Sequence, residues 1–320
     1  MNSFRTEINC LPALPIRLDQ KILTMGSCFA DQFGHWLALN KFQVLVNPFG
    51  TAYNPLSIHS LLMDALTNTL DATLFIERHS HWFHHQWHSQ FTAQSKEELS
   101  ARLQAVQNQV QDFLHQTDVL VLTYGTAWVY ELKASTQLVS NCHKVPAAQF
   151  RKRLLSVSEI VASFKVVSEV LKKLRPNLRI VLTVSPVRHL KDTLELNAVS
   201  KAALRLACNE LNALTEYFPA YEILTDDLRD YRFYERDMIH PSAEARDYIN
   251  QKFSDRYFDS ETRALLTTLH EIQKALAHKP FQPSSAAHQL FLKDTLRKVE
   301  SIQHRVPVTH ELEHLRTQLR

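Results

Sequence analysis

The sequence predicts an α/β protein built on a doubly wound parallel sheet. Short aliphatic stretches of strand length alternate along the chain with longer segments whose apolar residues recur at helical spacing. Most of the aliphatic stretches run into polar residues or glycine, as parallel strands do where they enter the loops of a ligand crevice. With 320 residues, of which 45% are hydrophobic, the chain is long enough for one large domain with a full core and an appendage.

The clearest strand–turn–helix unit lies at residues 21–39. Residues 21–25 form an aliphatic stretch, Gly26 breaks it, and apolar residues at helical spacing follow over 28–39, with Ser27 placed to cap that helix. Such a turn presents a nucleophile above the sheet edge, because the free N–H groups and partial positive charge of a helix N-terminus favour a thiolate or an oxyanion. An ordinary turn with a buried cysteine is the alternative.

The remaining elements continue the alternation. We predict further strands at residues 42–46, 71–76, 118–123, 129–132, 179–184 and 221–224. We predict further helices at residues 55–66, 95–115, 158–174, 196–218 and 242–253. Beyond residue 260 the pattern is helical with few strand signals. We therefore divide the chain into an α/β domain at 1–255 and a C-terminal helical extension at 256–320.

Composition excludes several classes of protein. The net charge of +3, without a dense Lys/Arg run, gives no reason to expect a nucleic-acid partner. No apolar run approaches the length of a membrane span, and residues 1–20 lack the apolar core of a signal peptide. The four cysteines show no paired spacing, which fits a reducing compartment. We expect a cytoplasmic protein without a cofactor and leave its oligomeric state open.

Residues 79–90 contain five histidines and two tryptophans. On a helix, His81 and His85, or His84 and His88, would share a face and could hold a metal ion. No Asp or Glu lies among them as a further ligand or base, and zinc sites usually offer a clearer ligand set. We favour an aromatic, partly exposed wall or lid beside a pocket, and predict no metal site.

A carboxylate and an imidazole are paired late in the chain. Asp237 and His240 are three residues apart just before a predicted helix. This spacing lets the carboxylate accept a hydrogen bond from one ring nitrogen while the other faces a nucleophile, although a histidine before proline is also a common turn residue. With the turn at Ser27 and Cys28, the pair supplies the nucleophile, base and orienting group of acyl-transfer chemistry. We expect the backbone N–H groups of the nucleophile and of Gly50 to form the oxyanion site.

Six short motifs carry a resemblance to a known family. They are Gly26-Ser27-Cys28-Phe29-Ala30, Asn47-Pro48-Phe49-Gly50, Gly125-Thr126-Ala127-Trp128, Asn141-Cys142-His143-Lys144, Ser185-Pro186-Val187-Arg188-His189 and Asp237-Met238-Ile239-His240-Pro241. Over about residues 20–255 the sequence resembles the GSCFA family of bacterial proteins, which is related to the SGNH (GDSL-type) hydrolases. The resemblance implies a three-layer α/β/α, flavodoxin-like fold and ester chemistry. It does not imply a particular substrate.

The resemblance also assigns roles to single residues. The first block of the hydrolases is Gly-Asp-Ser, with serine as the nucleophile, and Cys28 falls on that serine when the blocks are aligned from the end of the strand. A shift of one residue would make Ser27 the nucleophile. Gly50 falls on the glycine of the second block, and Asp237 and His240 fall directly on the last block.

The third block departs from the family pattern. The hydrolases have Gly-x-Asn, whose asparagine donates a hydrogen bond to the oxyanion, whereas Gly125 is followed here by Thr126 and Ala127. Thr126, Asn141 or His143 are candidates to replace that donor. Loss of one oxyanion donor typically costs about a hundredfold or more in rate, so the departure bears on how efficiently the protein could hydrolyse an ester.

The sequence thus predicts an ester-bond hydrolase or an acyltransferase that acts on a small or saccharide-linked acyl substrate. A cysteine nucleophile suits transfer as well as hydrolysis, because a thioester hands its acyl group on readily. Arg188, near a predicted strand end, is a candidate to bind a carboxylate or phosphate, with a surface ion pair as the alternative. A non-catalytic ligand-binding module on the same fold is the competing prediction, and a metal hydrolase built on the histidine run is a third.

Overall fold

The structure of the chain is a computed structural model that describes residues 6–319. Its strands are β1 (Lys21–Gly26), β2 (Gln43–Val46), β3 (Phe75–Arg78), β4 (His81–His84), β5 (Val119–Tyr124), β6 (Trp128–Leu132), β7 (Leu138–Val139), β8 (Phe150–Leu154), β9 (Arg179–Val184) and β10 (Glu216–Phe218). Its α-helices are α1 (Cys28–Leu39), α2 (Pro55–Thr67), α3 (Lys96–Leu114), α4 (Val157–Leu174), α5 (Thr193–Glu210), α6 (Ala220–Glu222), α7 (Ala243–Tyr257), α8 (Ser260–Ala277), α9 (Ala286–Ile302) and α10 (Thr309–Gln318).

Five parallel strands form the central sheet in the spatial order β2–β1–β5–β9–β10. Numbered by their sequence within this sheet, the order is 2-1-3-4-5, which is the flavodoxin-like arrangement. The predicted doubly wound parallel sheet is therefore confirmed. The order reverses between β1 and β5, so the crevice outside their carboxyl ends is where this topology places a ligand.

Both faces of the sheet are covered by helices. Alternate strand residues point to opposite faces, so Leu23 and Leu120 join the core beneath α2–α5, while Ile22 and Val121 join the core beneath α1 and α7. Strands buried on both faces explain the uninterrupted aliphatic runs in the sequence. The three-layer α/β/α prediction is confirmed.

The first helix begins and packs as its sequence requires. Ser27 is the N-cap, and its hydroxyl oxygen accepts a hydrogen bond from the Phe29 N–H at 3.3 Å. A Cβ added at Gly34 would lie 2.6 Å from the Thr24 hydroxyl oxygen and 2.7 Å from Val46. A glycine in mid-helix therefore allows α1 to approach the sheet closely.

The histidine-rich segment forms part of a β-hairpin. The predicted strand at 71–76 is wrong in position, because residues 72–74 form a 3₁₀ turn. The strand in this region is β3, which pairs antiparallel with β4 outside the central sheet. Since β4 is extended, its side chains alternate between two faces, and the helical pairing considered for these histidines does not occur. Strands β7, β6 and β8 form a separate three-stranded sheet.

The chain between 211 and 224 differs from the prediction. Helix α5 ends at Glu210, and the last strand of the central sheet is β10, which pairs with β9. The predicted strand at 221–224 is wrong, because these residues lie in helical turns that follow Pro219. Proline ends the strand, and a helical turn buries Ile223 and Leu224 together against the face that α1 and α7 cover.

The C-terminal helices α8, α9 and α10 have a small core of their own. They contact the α/β domain through an ion pair of 2.5 Å between Lys41 and Glu311 and a hydrogen bond of 3.0 Å from Gln273 to the Leu39 carbonyl. The predicted helical extension is confirmed, while the division at residue 255 stays a prediction. None of the helices within residues 6–319 has the length and apolar character that crossing a bilayer requires.

Candidate active site

A glycine turn ends β1 at the switch point of the sheet. Gly26 has a φ of +135°, and a Cβ at this position would lie 2.1 Å from the carbonyl oxygen of Thr123. Its N–H donates to the side-chain oxygen of Asn47 at 3.1 Å, and its carbonyl accepts from Ala52 at 3.0 Å. The turn is therefore held by β5 on one side and by the loop after β2 on the other, in a conformation that only glycine adopts easily.

The two candidate nucleophiles differ in their surroundings. Ser27 is fully buried and its hydroxyl caps α1, whereas Cys28 is partly exposed and is the first residue of the helix. Burial raises the pKa of the Cys28 thiol, while the backbone N–H groups of Phe29 and of Cys28 itself and the charge of Lys201 act to lower it. The sulfur of Cys28 thus lies at the helix N-terminus with N–H donors and a cation near it.

Lys201, on α5, is a buried amine beside Cys28. Its side chain is 1% exposed, and Nζ donates to the carbonyl oxygens of Gly125 and Ser185, each at 2.7 Å. These carbonyls directly follow β5 and β9, so one ammonium group joins the ends of two neighbouring strands. Burial lowers the pKa of Lys201 to about 7, and the nearby Cys28 opposes that change.

His189 and Gly125 lie next to the nucleophile turn. A Cβ at Gly125 would be 3.2 Å from His189 Nε2 and 3.4 Å from the Cβ of Ser27. The His189 ring also packs edge-on against Tyr53, with ring centroids 5.3 Å apart. Burial, followed by the charges of Lys201 and His240, lowers the pKa of His189 to about 3, so this imidazole is neutral near pH 7.

The predicted carboxylate–imidazole pair is present. Asp237 Oδ2 and His240 Nδ1 are 2.7 Å apart, and Oδ1 of the same carboxylate accepts from the N–H groups of Ile239 and His240 at 2.9 and 3.0 Å. The hydrogen bond with the His240 side chain, and then the backbone N–H groups, lower the pKa of Asp237 to about 2. The ionised carboxylate fixes the orientation of the His240 ring.

Arg188 braces the loop that carries this pair. Its guanidinium lies 3.8 Å from the ring centroid of Tyr234, and its backbone N–H donates to the Ile239 carbonyl at 3.2 Å. A longer hydrogen bond, of 3.4 Å, runs from Arg188 Nη1 to the carbonyl of Met238. The segment after β9 and the loop around His240 are thereby joined; an anion-binding role for Arg188 stays a prediction.

Two groups predicted as oxyanion donors are engaged inside the protein. The Gly50 N–H donates to the Asn47 carbonyl at 2.8 Å, within a turn in which Gly50 has a φ of +72°. The Thr126 hydroxyl lies 3.0 Å from the Ser200 hydroxyl and accepts from the Trp128 N–H at 3.1 Å. Neither group points freely toward a substrate in this arrangement.

Asn141 and His143 belong to a second cluster, formed with the β-hairpin. The His143 N–H donates to Asn141 Oδ1 at 2.9 Å, and His143 Nε2 lies 2.9 Å from the His84 carbonyl oxygen. The two residues line a cavity of about 360 Å³ together with Arg78, His79, His81, Phe83, Ser89 and Lys144. In the described part of the chain, no group of three or more His, Cys, Asp or Glu side chains is arranged to hold a metal ion.

Sequence reasoning missed two residues of the site. Lys201 lies on the apolar face of α5, three and seven residues before Leu204 and Cys208, and a lysine on such a face was the available signal. His189 was part of a motif, but nothing in the sequence related it to Gly125, which is 64 positions earlier. Tertiary packing alone brings these residues together.

The fold and this site define a class: a flavodoxin-like α/β protein with a thiol at a helix N-terminus and an oriented imidazole. Residues 21–253 match the GSCFA family, and residues 269–320 match the GSCFA domain protein, C-terminal domain. The chain therefore belongs to the GSCFA family. No curated protein matches its sequence.

Two solved structures are similar at a low level. One is the crystal structure of a carbohydrate esterase family 3 from Talaromyces cellulolyticus, with 9% identity, a TM-score of 0.33, and coverage of 79% of this chain and 99% of that chain. The other is the crystal structure of an acetyl esterase mutant with acetate ion, with the same identity, TM-score and coverage. Similarity at this level says nothing about what the present chain acts on.

Proposed function

We propose that this protein cleaves or transfers an ester-linked acyl group, with Cys28 as nucleophile, His240 as general base and Asp237 as the group that orients the base. The observation that carries the proposal is the 2.7 Å contact between Asp237 and His240, in which backbone N–H groups also hold the carboxylate. A histidine oriented in this way is the base that acyl-transfer sites require.

The chemistry proceeds through a thioester. Because burial raises the pKa of the Cys28 thiol, the thiol needs a base, and His240 takes its proton while Asp237 stabilises the imidazolium. The sulfur electron pair forms a bond to the acyl carbon, and the carbonyl pair moves onto oxygen. When the ester C–O bond breaks, the leaving alkoxide takes the proton from His240. Water completes hydrolysis, and another hydroxyl or amine completes transfer.

Cys28 is the better nucleophile candidate of the two adjacent residues. The Ser27 hydroxyl is fully buried and is used as a helix cap, so attack by Ser27 would uncap α1. Cys28 is partly exposed, and N–H donors and the Lys201 charge favour its ionised form. We propose a small or saccharide-linked acyl ester as the substrate class, on the basis of the sequence prediction.

A ligand-binding module without turnover is the competing function. The engagement of the Gly50 N–H and the Thr126 hydroxyl within the protein favours it, because a site with fewer oxyanion donors is slower. On this view the thiol would bind or shield a ligand and would form no thioester.

Acylation by p-nitrophenyl acetate separates the two functions. Purified protein is mixed with the ester, p-nitrophenol release is followed, and the acetylated residue is mapped by mass spectrometry. We expect a burst and an acetyl group on Cys28, both lost in Cys28→Ala. Cys142→Ala is the matched control, since Cys142 is also a partly exposed thiol. Acetylation on neither residue, acetylation on Ser27 instead of Cys28, or an equal burst in Cys28→Ala would contradict the proposal.

A further inference from the structure

His189 Nε2 is a buried ring nitrogen without a hydrogen-bond partner within residues 6–319. The other part of the residue is held firmly: its backbone N–H donates to Asn197 Oδ1 at 3.0 Å, and its ring packs against Tyr53. Unpaired buried polar atoms are rare in folded proteins, because they lose hydration and gain nothing in return. A fixed ring with an unpaired nitrogen is explained most simply by a partner that arrives with the substrate.

The surroundings of His189 Nε2 place it beside the nucleophile turn. A Cβ at Gly125 would lie 3.1 Å from the Tyr53 carbonyl oxygen, 3.2 Å from His189 Nε2 and 3.4 Å from Ser27 Cβ, so the absence of a side chain there lets these groups approach one another. The imidazole nitrogen and the nucleophile turn therefore lie on the same side of Gly125. At the same end of β1, the Phe29 N–H donates to the Ser27 hydroxyl at 3.3 Å, and the N–H groups of Ala30 and Asp31 donate to the Ser27 carbonyl at 2.8 and 3.4 Å.

We propose that His189 donates a hydrogen bond from Nε2–H to the oxyanion that forms when Cys28 attacks the acyl carbon. This inference rests on the proposed function. It gives His189 the role of the asparagine that the third block lacks, in place of Thr126, Asn141 or His143. The ligand atom it recognises is the carbonyl oxygen of an ester.

A neutral imidazole is suited to this task. Burial of the ring, followed by the charges of Lys201 and His240, disfavours a second proton on His189, so the neutral ring donates without giving up a proton. The negative charge on the oxyanion comes from the carbonyl π pair when the C–S bond forms, and it returns to the carbonyl when the ester C–O bond breaks. His189 remains unchanged throughout, because the proton for the leaving alkoxide comes from His240.

Two substitutions of similar length test the proposal. His189→Gln places an amide N–H near the position of Nε2, whereas His189→Met fills the same volume without a donor. Each variant is compared with the parent in two reactions of Cys28: acylation by p-nitrophenyl acetate and alkylation by iodoacetamide. Alkylation forms no oxyanion, so it reports the nucleophile and the integrity of the site independently of the proposed donor.

We expect His189→Met to acylate about a hundredfold to a thousandfold more slowly than the parent, and His189→Gln to recover most of that loss. Alkylation rates of both variants should stay within about twofold of the parent, since the donor acts only on an oxyanion. Parental acylation in His189→Met, or equal loss in both variants, would overturn the role of His189 alone. A parent that alkylates at Cys28 but never acylates would overturn the proposed function, and this inference with it.

Discussion

The buried amine of Lys201 makes the pH dependence of stability a sharp test of the site. In Lys201→Met a side chain of similar length without charge replaces the lysine, and the Gly125 and Ser185 carbonyls lose their donor. In the parent protein, burial lowers the pKa of Lys201 from 10.5 to about 7 in the folded state. Since one pKa unit is worth about 1.4 kcal/mol, this difference corresponds to about 5 kcal/mol of unfolding free energy over the whole titration.

The direction in which the free energy of unfolding changes with pH follows from proton binding to Lys201. Below about pH 7 both the folded and the unfolded chain hold the proton on Lys201, and the cost of the buried charge is fully present. Between about 7 and 10.5 only the unfolded chain holds it, so the free energy of unfolding rises with pH. At pH 10 the neutral amine still has two N–H groups for its two carbonyl acceptors.

Urea denaturation followed by tryptophan fluorescence measures this effect. We expect the free energy of unfolding of the parent, minus that of Lys201→Met, to increase by about 4 kcal/mol between pH 7 and pH 10. Subtracting the value for the variant removes the contribution of the cysteines and tyrosines, which titrate between pH 7 and pH 10 in both proteins. Lys133→Met, at an exposed position, is the control for loss of one positive charge. A difference that changes by less than about 1 kcal/mol over this range would refute the reasoning.

Three further substitutions test the turn and the catalytic pair. Gly26→Ala places a Cβ 2.1 Å from the Thr123 carbonyl oxygen at a φ of +135°. We therefore expect thermal unfolding to show destabilisation by more than about 3 kcal/mol. A melting temperature like the parent's would contradict this. Gly125→Ala places a Cβ 3.1 Å from the Tyr53 carbonyl oxygen and 3.2 Å from His189 Nε2, so these neighbours must shift. We expect acylation to slow about tenfold or more and stability to fall by about 1 kcal/mol, as stopped-flow and calorimetry can check. Asp237→Asn removes a carboxylate whose pKa is about 2 and should slow acylation about a hundredfold or more at every pH above 5, so a parental pH–rate profile would exclude its role.

The sequence predicted most of the central sheet because its strands are buried on both faces. Uninterrupted aliphatic runs such as residues 118–123 and 179–184 are typical of parallel strands that are buried on both faces. Serines at N-cap positions mark where the helices start. Two predicted strands are misplaced where that signal is weak, and three short strands outside the central sheet, β4, β7 and β8, were not predicted. β10 is a three-residue edge strand, and the 71–76 region leads into a small hairpin outside the main core.

The candidate site was likewise predicted from the sequence only where its residues are close together in the chain. Asp237 and His240 are three positions apart, so their 2.7 Å contact follows from a local turn and was visible in the sequence. Gly26 and Cys28 were visible for the same reason, because a strand, a turn and a helix N-terminus are local features. The engagement of the Gly50 N–H by Asn47 was not foreseen, since a motif names a residue but does not show what its N–H binds.

The sequence by itself determined the fold class, the family and the residues that a local turn brings together, because these depend on periodicity and short-range spacing. Only the tertiary structure decided that Lys201 lies beside Cys28, and that His189 Nε2 approaches Gly125 next to Ser27. The physical reason is topological. Parallel strands bring their carboxyl ends to one edge, so residues that follow β5 and β9 or face inward from α5 meet there, although long crossover connections separate them in the chain.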